Sequence, residues 1–182
     1  MAHKSKLIIM MGAAETARST MADIIKESHD DCIIIRKAKI REKYYGGKQN
    51  LYDEKIEEKV DKEYFKKIYA ALKKYDYVVA DSVQNSIKAR KNFFNNVPIP
   101  QGTKIIGVWI ESTPSVALKN NSKLPKDQQY PESIIRYMFK YAASPQPYEP
   151  FDNVVFLNAE TDMGITRLTA KIVSVVEALK NI

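Results

Sequence analysis

The chain has 182 residues, a hydrophobic content of 45% and a formal net charge of +7. This length suits one domain with a substantial core and is too short for two comfortable ones. No apolar run approaches the ~20 residues of a membrane-spanning helix, and the N-terminus lacks the long apolar core of a signal peptide. We therefore expect a single domain over residues 1–182 and no attachment to a membrane.

The polar composition limits the kinds of site and partner. A single cysteine, Cys32, excludes an internal disulfide framework and fits a reducing cytoplasm. Cys32, His3 and His29 do not have the spacing of metal ligands. The positive charge favours acidic partners, nucleic acid first among them. Lysine and glutamate are interleaved over residues 53–74 as on a solvated helix, so a generally lysine-rich surface explains the charge equally well.

Short apolar runs and amphipathic stretches alternate along the chain. Strands are expected at five runs, at 6–12, 32–36, 75–81, 104–110 and 153–159. Helical periodicity is found at 16–28, 53–74 and 86–96, from about 114, and at 131–141 and 165–182. A polar stretch at 122–131 and a proline-rich connector at 144–150 lie between the later elements. Five alternations predict an α/β fold with a parallel sheet covered by helices on both faces.

The junction between the first strand and the first helix reads GAAETARST, beginning at Gly12. A phosphate-binding loop has the spacing G-x-x-x-x-G-K-[ST], in which backbone N–H groups and the lysine hold phosphates and the hydroxyl holds Mg²⁺. Gly12 takes the first position, Ala17 the second glycine, Arg18 the lysine and Ser19 the hydroxyl. The spacing indicates phosphate binding by Gly12, Arg18, Ser19 and Thr20, with Ser19 as an Mg²⁺ ligand. An ordinary turn in which Ser19 and Thr20 cap or line a helix fits the same residues.

Three residues of this junction depart from a working phosphate loop. Ala17 carries a strain of roughly 1 kcal/mol or more if its position requires a positive φ. Arg18 keeps the positive charge but replaces a compact ammonium with a wide planar group. Glu15 brings negative charge towards the place of an anion, although it also suits a helix N-terminus. These changes weaken the nucleotide-binding interpretation of the spacing.

Four later strings occur in a recognisable order, IIIRKAKIR, VVADSVQNSIKAR, KNNSKLPKDQQYPESIIRYM and FDNVVFLN. Together with the loop they resemble P-loop kinases of the 5′-hydroxyl polynucleotide kinase type, including the phage kinase domain, over most of residues 5–158. The resemblance implies a three-layer P-loop kinase fold with a five-stranded parallel sheet and a lid at about 119–131. It also implies ATP and Mg²⁺ as cofactors and a nucleic-acid substrate.

The catalytic signatures of that family are altered in this chain. Ala38 and Lys39 stand where the family has two acidic residues, the first of which deprotonates the 5′-hydroxyl. Neither alanine nor an ordinary lysine accepts a proton at pH 7. Leu124 stands at the position of the lid arginine, and leucine cannot stabilise charge on a transferring phosphoryl group. With the changes at Ala17 and Arg18, four separate parts of the machinery differ.

Other positions retain residues that the resemblance assigns to the site. The candidate catalytic residues are Arg18, Asp81 and Lys123, with Lys126 close to the last. The candidate contacts to nucleic acid or substrate are basic, namely Lys37, Lys39, Arg41 and Arg90. A capping or turn role explains Asp81 equally well, and a solvated basic loop explains the residues from Lys37 to Arg41.

The first hypothesis is therefore a pseudokinase, a catalytically degenerate polynucleotide-kinase-like protein that binds nucleic acid, a nucleotide or a protein partner. Binding of ATP and Mg²⁺ is then weak or absent. A second hypothesis is a divergent ATP-dependent 5′-hydroxyl polynucleotide kinase in which Arg18 contacts the phosphates. A third is a structural or assembly protein, phage-encoded in one version, that uses the fold as a scaffold. We expect a cytoplasmic protein, which would lie in the host cytoplasm if it is phage-encoded. The sequence is compatible with a homo-oligomer.

Overall fold

A computed structural model describes residues 4–46 and 53–158. Within these ranges five strands are found, β1 (Lys6–Met11), β2 (Cys32–Arg36), β3 (Tyr77–Asp81), β4 (Lys104–Glu111) and β5 (Asn153–Asn158). The helices there are α1 (Arg18–Glu27), α2 (Lys37–Tyr45), α3 (Glu54–Leu72), α4 (Ile87–Asn96), α5 (Pro114–Asn121) and α6 (Glu132–Lys140). A 3-10 turn, Lys126–Gln128, lies between the last two helices. The helix expected at 165–182 lies outside the described residues.

The five strands form one parallel sheet in the order β2-β3-β1-β4-β5. This confirms the predicted α/β fold. The register places Arg36, the last residue of β2, beside Asp81, the last residue of β3, and Asp81 beside Met10 of β1. The loop that follows β1 therefore meets Arg36 and Asp81 at the carboxyl edge of the sheet, where open α/β sheets bind their ligands.

Side chains of β1 alternate between two hydrophobic clusters, one on each face of the sheet. Leu7, Ile9 and Met11 belong to one cluster, and Ile8 and Met10 belong to the other. Successive residues of a strand point to opposite faces, so a strand buried on both faces reads as an unbroken apolar run. This is why β1 was visible in the sequence.

Different helices cover the two faces of the sheet. On the first face, α3 and α4 bury Tyr64, Ile68 and Phe93. On the second face, α1 buries Met21 and Ile25. The Phe93 ring packs edge-on against neighbouring aromatic rings, which adds directional contacts to the burial of apolar area.

Polar caps explain where several helices begin. Asp53 accepts hydrogen bonds from the N–H groups of Lys55 and Ile56, and Ser86 and Thr113 cap α4 and α5 in the same way. Helix α6 was expected to carry Pro131 in its first turn, but Pro131 has an extended ψ of 138° and lies just before the helix. None of the helices within residues 4–46 and 53–158 is long and apolar enough to cross a membrane.

The basic segment after β2 contradicts one of its two interpretations, that of a solvated basic loop. It forms helix α2, which follows β2 directly and ends at Gly46, where φ is 79°. Ile40 and Arg41 are buried against the rest of the fold. The segment has little apolar periodicity because an arginine, rather than a second aliphatic residue, is its other buried side chain.

Candidate functional site

Three residues of the loop after β1 have positive φ values, which glycine adopts most easily. Gly12 has a φ of 148°, and a Cβ there would lie 3.3 Å from atoms of Ile110 and Thr16. Glu15 and Ala17 have φ values of 59° and 63°, a region that costs a non-glycine residue roughly 1–2 kcal/mol. The positive φ expected at Ala17 is therefore present. The loop keeps its shape with two residues that are poorly suited to it.

The Arg18 side chain turns back onto its own loop. Its Nε donates to Asp81 Oδ1 at 2.8 Å, and its Nη1 donates to the carbonyl oxygens of Gly12 at 3.0 Å and Ala13 at 3.3 Å. Only 13% of the side chain is exposed. Arg18 therefore holds the loop against the end of β3 through three hydrogen bonds.

Asp81 accepts hydrogen bonds from three side chains, two at the start of α1 and one at the end of β2. It is buried, and its Oδ2 accepts from Ser19 Oγ at 2.9 Å and from Arg36 Nε at 3.2 Å. Burial alone would raise the pKa of Asp81, but the contacts with Arg18, Ser19 and Arg36 outweigh burial and hold the pKa below its usual value. Asp81 is consequently an ionised acceptor, and it takes the place that an anionic ligand would have beside Arg18 and Ser19.

The residues at this point do not fit Mg²⁺. A serine hydroxyl and an aspartate carboxylate are suitable ligand types for the ion. Here, however, both oxygens of Asp81 accept from Arg18, Ser19 or Arg36, and the two guanidinium groups oppose a further cation. In the described part of the chain, no three His, Cys, Asp or Glu side chains are grouped to hold a metal ion. Ser19 keeps oxygen lone pairs while it donates to Asp81, so the two guanidinium groups, and not this hydrogen bond, argue against its predicted Mg²⁺ role.

A cavity of about 230 Å³ lies beside Asp81, and we call it the charged cavity. Its walls come from the start of α1, from α2 and α3, from the segment after β3, and from Tyr130. The ionisable side chains of the wall are Arg18, Arg36, Lys37, Arg41, Glu57, Asp61 and Asp81. Four cations and three carboxylates therefore surround one small space.

The cations that α2 contributes to this wall are bound to carboxylates of α3. Lys37 Nζ lies 3.1 Å from Glu57 Oε2 and 2.6 Å from Asp61 Oδ1, and Arg41 Nη2 donates to Glu57 at 2.8 Å. Burial would raise the pKa of Glu57, but Arg41 and Lys37 outweigh it and lower the pKa. Lys37 and Arg41, predicted to contact nucleic acid or substrate, line the cavity as members of ion pairs instead of as free cations.

Arg90 was predicted to face the substrate, and the structure contradicts this. Its side chain is fully buried. Nε and Nη2 donate to the Glu149 carboxylate, Nη1 donates to the carbonyl oxygens of Gln84 and Ala143, and Nη2 also donates to the carbonyl of Ser144. These five bonds use all the N–H donors of a guanidinium. Arg90 fastens the proline-rich connector to α4 and has no donor left for a ligand.

The predicted lid lies against the loop. Asn121 bonds through its side-chain amide to the backbone N–H and carbonyl of Tyr130, which closes the lid segment. Asn120 Nδ2 donates to the Glu15 carbonyl at 3.0 Å, and Met138 Sδ accepts from the Ala14 N–H at 3.5 Å. The lid thus contacts the loop at Glu15, and α6 contacts it at Ala14.

Lys123 lies in the exposed part of this lid and is not part of the cavity wall. Among the predicted catalytic residues, the structure therefore brings Arg18 and Asp81 together and leaves Lys123 apart. Thr20 is exposed on the first turn of α1.

Lys39 belongs to a separate exposed surface. It lines a groove of about 200 Å³ with Arg36, Lys43, Tyr44 and Lys67, and we call these five residues the basic patch. Lys39 is 71% exposed and pairs with Glu42 at 2.8 Å, an exchangeable contact at the surface. Arg36 lines both the basic patch and the charged cavity, so the two sites adjoin.

Comparison with known proteins identifies the family. The family model described as Chromatin associated protein KTI12 matches residues 6–181. The chain belongs to this KTI12 family. No curated protein sequence matches this KTI12-family chain.

Solved structures of P-loop kinases share the fold of the KTI12-family chain. A putative kinase from Chloroflexus aurantiacus is 10% identical with a TM-score of 0.72, over 100% of this chain and 99% of that one. A gluconokinase from Sinorhizobium meliloti is 12% identical with a TM-score of 0.63, over 99% and 98%. A fungal RNA kinase is 13% identical with a TM-score of 0.64, over 100% and 88%. At these identities the likeness concerns the fold, and the narrower resemblance to 5′-hydroxyl polynucleotide kinases stays a prediction.

Several residues of the KTI12-family site were missed in the sequence. Arg36 ends one predicted strand and Asp81 ends another, but only the order of the strands makes them neighbours. Glu57 and Asp61 are one helical turn apart on α3 and read as solvated charges. Gln84 gave no signal, because a single glutamine after a strand is common in any loop. The position of Arg36 at a strand end was the one usable clue.

Proposed function

We propose that this KTI12-family protein is a kinase-like protein that binds nucleic acid and does not transfer a phosphoryl group. The observation that carries the proposal is the position of Arg18. The residue that should reach a phosphate is bonded instead to Asp81 and to two carbonyl oxygens of the loop.

The contacts of Arg18 oppose the binding of a nucleotide phosphate. Transition-state stabilisation depends on donors that are already aimed at the developing charge. Arg18 must leave Asp81 before it can bind a phosphate, and a hydrogen bond to a charged group contributes about 1.5–3 kcal/mol. The departure of Arg18 would leave the buried Asp81 with one of its two guanidinium partners.

The position of the family's proton acceptor also lacks the required chemistry. Ala38 lines the charged cavity and is exposed at its mouth. Two carboxylates of α3, Glu57 and Asp61, line the same cavity. Glu57 is paired with Lys37 and Arg41, and Asp61 is paired with Lys37. The lowered pKa of Glu57 makes it a poor general base, and Asp61 is bound to Lys37. This supports the loss of phosphoryl transfer independently of Arg18.

The basic patch supports nucleic acid as the ligand. Lys39 and Lys43 are exposed, and Tyr44, which lines the same groove, is 49% exposed with Lys43 Nζ 5.0 Å from its ring centroid. Lysines bind phosphates of any sequence through charge, and an exposed aromatic ring offers a stacking surface for a base. The formal net charge of +7 adds a long-range attraction to polyanions.

Binding of a single-stranded oligonucleotide over a salt series tests this function. We expect the logarithm of the affinity to fall linearly with the logarithm of the salt concentration, because bound phosphates release counterions. Lys39→Ala should weaken binding for every sequence and reduce the slope by about one. Lys26→Ala is the matched control, since Lys26 is exposed on α1, on the opposite face of the sheet from α2.

Two results would count against nucleic-acid binding at this surface. The first is the absence of any oligonucleotide binding at low salt. The second is an equal loss in Lys39→Ala and Lys26→Ala, which would indicate general charge attraction without a defined site. Arg41→Ala is unsuitable for this test, because removing the buried partner of Glu57 changes stability as well as charge.

A divergent ATP-dependent kinase is the second candidate, and one observation favours it. The loop retains positive φ at Gly12, Glu15 and Ala17 despite the strain at the two non-glycine residues. Strain of this kind persists where the surrounding structure requires the conformation. A direct assay of phosphoryl transfer separates the two candidates.

A further inference from the structure

One wall residue of the charged cavity has an unused hydrogen-bonding group. Gln84 follows β3, is only 6% exposed and lines the cavity. Its Nε2 donates to Ser82 Oγ at 3.0 Å, while its Oε1 has no hydrogen-bond partner among the described residues. A buried polar atom without a partner is unfavourable. This atom has almost no accessible surface, so a ligand in the cavity that brings an N–H or O–H donor reaches it only when the Gln84 side chain rotates.

The charges of the cavity favour an uncharged ligand group. Arg18 and Arg36 are bonded to Asp81, and Lys37 and Arg41 are bonded to carboxylates of α3. A phosphate entering this space would find each of these cations already neutralised and would lie close to three carboxylates. A neutral group with hydrogen-bond donors meets neither obstacle.

The size of the cavity limits the ligand to about one ring system. A volume of about 230 Å³ is below the ~300–1,000 Å³ of sites for drug-sized ligands. Phe65 and Tyr130 contribute aromatic surface to the wall, and Ala38 and Ala89 leave room beside them. A planar ring that carries N–H donors matches this combination of size, apolar surface and free acceptor.

The cavity and the basic patch lie next to each other. Arg36 lines both, and the consecutive residues Ala38 and Lys39 of α2 line one each. A strand whose phosphates contact the patch would therefore present a base at the mouth of the cavity. Unstacked bases of single strands are the usual targets of protein recognition in RNA.

We propose that the charged cavity receives one unstacked nucleobase of the nucleic-acid strand bound on the basic patch, and that the Gln84 side chain rotates so that its Oε1 accepts a hydrogen bond from the base. This rests on the proposed nucleic-acid function and adds the site and the group recognised. The cavity would recognise the base, and the basic patch would bind the phosphate backbone of the strand.

Calorimetry with the full chain tests this with two kinds of ligand. The small probes are the four ribonucleosides, with ribose 5-phosphate as a probe for phosphate without a base. The large probe is a single-stranded oligonucleotide. Ala38→Phe fills the mouth from an exposed helical position, and Ala70→Phe is its control at an exposed position of α3 outside the cavity. Gln84→Ala removes the acceptor, and exposed Gln101→Ala is its control.

We expect at least one nucleoside to bind and ribose 5-phosphate not to bind. Ala38→Phe and Gln84→Ala should each weaken nucleoside binding by about tenfold or more, the effect of losing a hydrogen bond or its site. The two control variants should bind as the unmodified protein does. Ala38→Phe should also weaken oligonucleotide binding without changing its salt slope, because the phosphate contacts remain. Since Ala38 is exposed, this variant tests the cavity even if Gln84→Ala fails to fold.

Three results would overturn the nucleobase site. They are ribose 5-phosphate binding more tightly than the nucleosides, no nucleoside binding at all, and nucleoside binding that Ala38→Phe leaves unchanged. If the oligonucleotide still binds in these cases, the proposed function stands without the cavity. Nucleoside binding that Ala38→Phe abolishes, with no oligonucleotide binding, would instead support the cavity and overturn the nucleic-acid function.

Discussion

At the scale of single residues, Ala17 and Arg18 replace the glycine and the lysine of a phosphate loop with different consequences. Ala17 keeps the left-handed backbone conformation, with φ 63° and ψ 12°. Arg18 keeps its charge but directs it to Asp81 and the loop carbonyls. The first replacement keeps a left-handed backbone at this position. The second directs the cation to the carboxylate of Asp81 instead of to the phosphate of a ligand.

We expect Ala17→Gly to stabilise the protein by about 0.5–1 kcal/mol. Glycine relieves a strain of roughly 1–2 kcal/mol in the folded state. Its greater conformational freedom stabilises the unfolded chain and offsets about 0.4–1 kcal/mol of this relief. Urea unfolding measures the difference. Ala70→Gly, in the exposed interior of α3, is the control and should destabilise by about 0.5–1 kcal/mol. If both variants lose stability equally, the left-handed conformation at Ala17 is wrong.

The low pKa of Asp81 predicts how stability depends on pH. A carboxyl whose folded pKa lies below its unfolded value of about 3.9 stabilises the folded state above that pH, and the contribution is lost as pH falls through the folded pKa. Asp81→Asn should therefore lower the free energy of unfolding by about 3 kcal/mol at pH 7. The difference in unfolding free energy between the unmodified protein and Asp81→Asn should become smaller below about pH 4.

Unfolding free energies measured from neutral to acidic pH check this expectation. Asp127→Asn is the control, because Asp127 is exposed on the 3-10 turn. A gap that stays constant down to the acid limit would mean that Asp81 does not act through its charge.

At the scale of helices and strands, the sequence predicted elements whose signals are local. Buried strands read as short apolar runs, and α3, α4 and α5 begin at recognisable caps. Helix α2 was missed because its burial depends on ion pairs with α3 that are 16 to 24 positions away in the chain, between Lys37 or Arg41 and Glu57 or Asp61. A paired charge and a solvated charge are the same letter in a sequence.

The connector after α6 depends on one buried ion pair. Arg90 has no exposed surface and Glu149 has 7%, so Glu149→Gln leaves a buried guanidinium without its counter-charge. We expect a loss of about 3–5 kcal/mol in urea unfolding. Glu132→Gln removes a carboxylate from an exposed pair with Arg136 and should cost less than about 1 kcal/mol. Similar losses in the two variants would contradict the role assigned to Arg90.

At the scale of the whole molecule, strand order assembles the candidate site. Arg36, Asp81 and the Arg18 loop come from the ends of three neighbouring strands. The fold and the loop position could be predicted, because alternation and spacing are properties of the sequence itself. The direction of the Arg18 side chain could not, because its partner Asp81 lies 63 residues away and becomes a neighbour only in the folded sheet.

The net charge of +7 is also distributed by the fold. In the charged cavity the cations are bound to half-buried or buried carboxylates, whereas in the basic patch Lys39 is exposed in an exchangeable surface pair with Glu42 and Lys43 is exposed. The chain thus separates a surface suited to a phosphate backbone from a cavity suited to a neutral group.

The most direct measurement is the transfer of the labelled γ-phosphoryl group of ATP to a 5′-hydroxyl oligonucleotide in the presence of Mg²⁺. The unmodified protein is compared with Arg18→Ala and with a blank that lacks protein, and activity that persists unchanged in Arg18→Ala is assigned to a contaminating kinase. We expect the unmodified protein to show no more transfer than the blank, because Arg18 and Ser19 are hydrogen-bonded to Asp81. Transfer by the unmodified protein that disappears in Arg18→Ala would show that the protein is an active kinase.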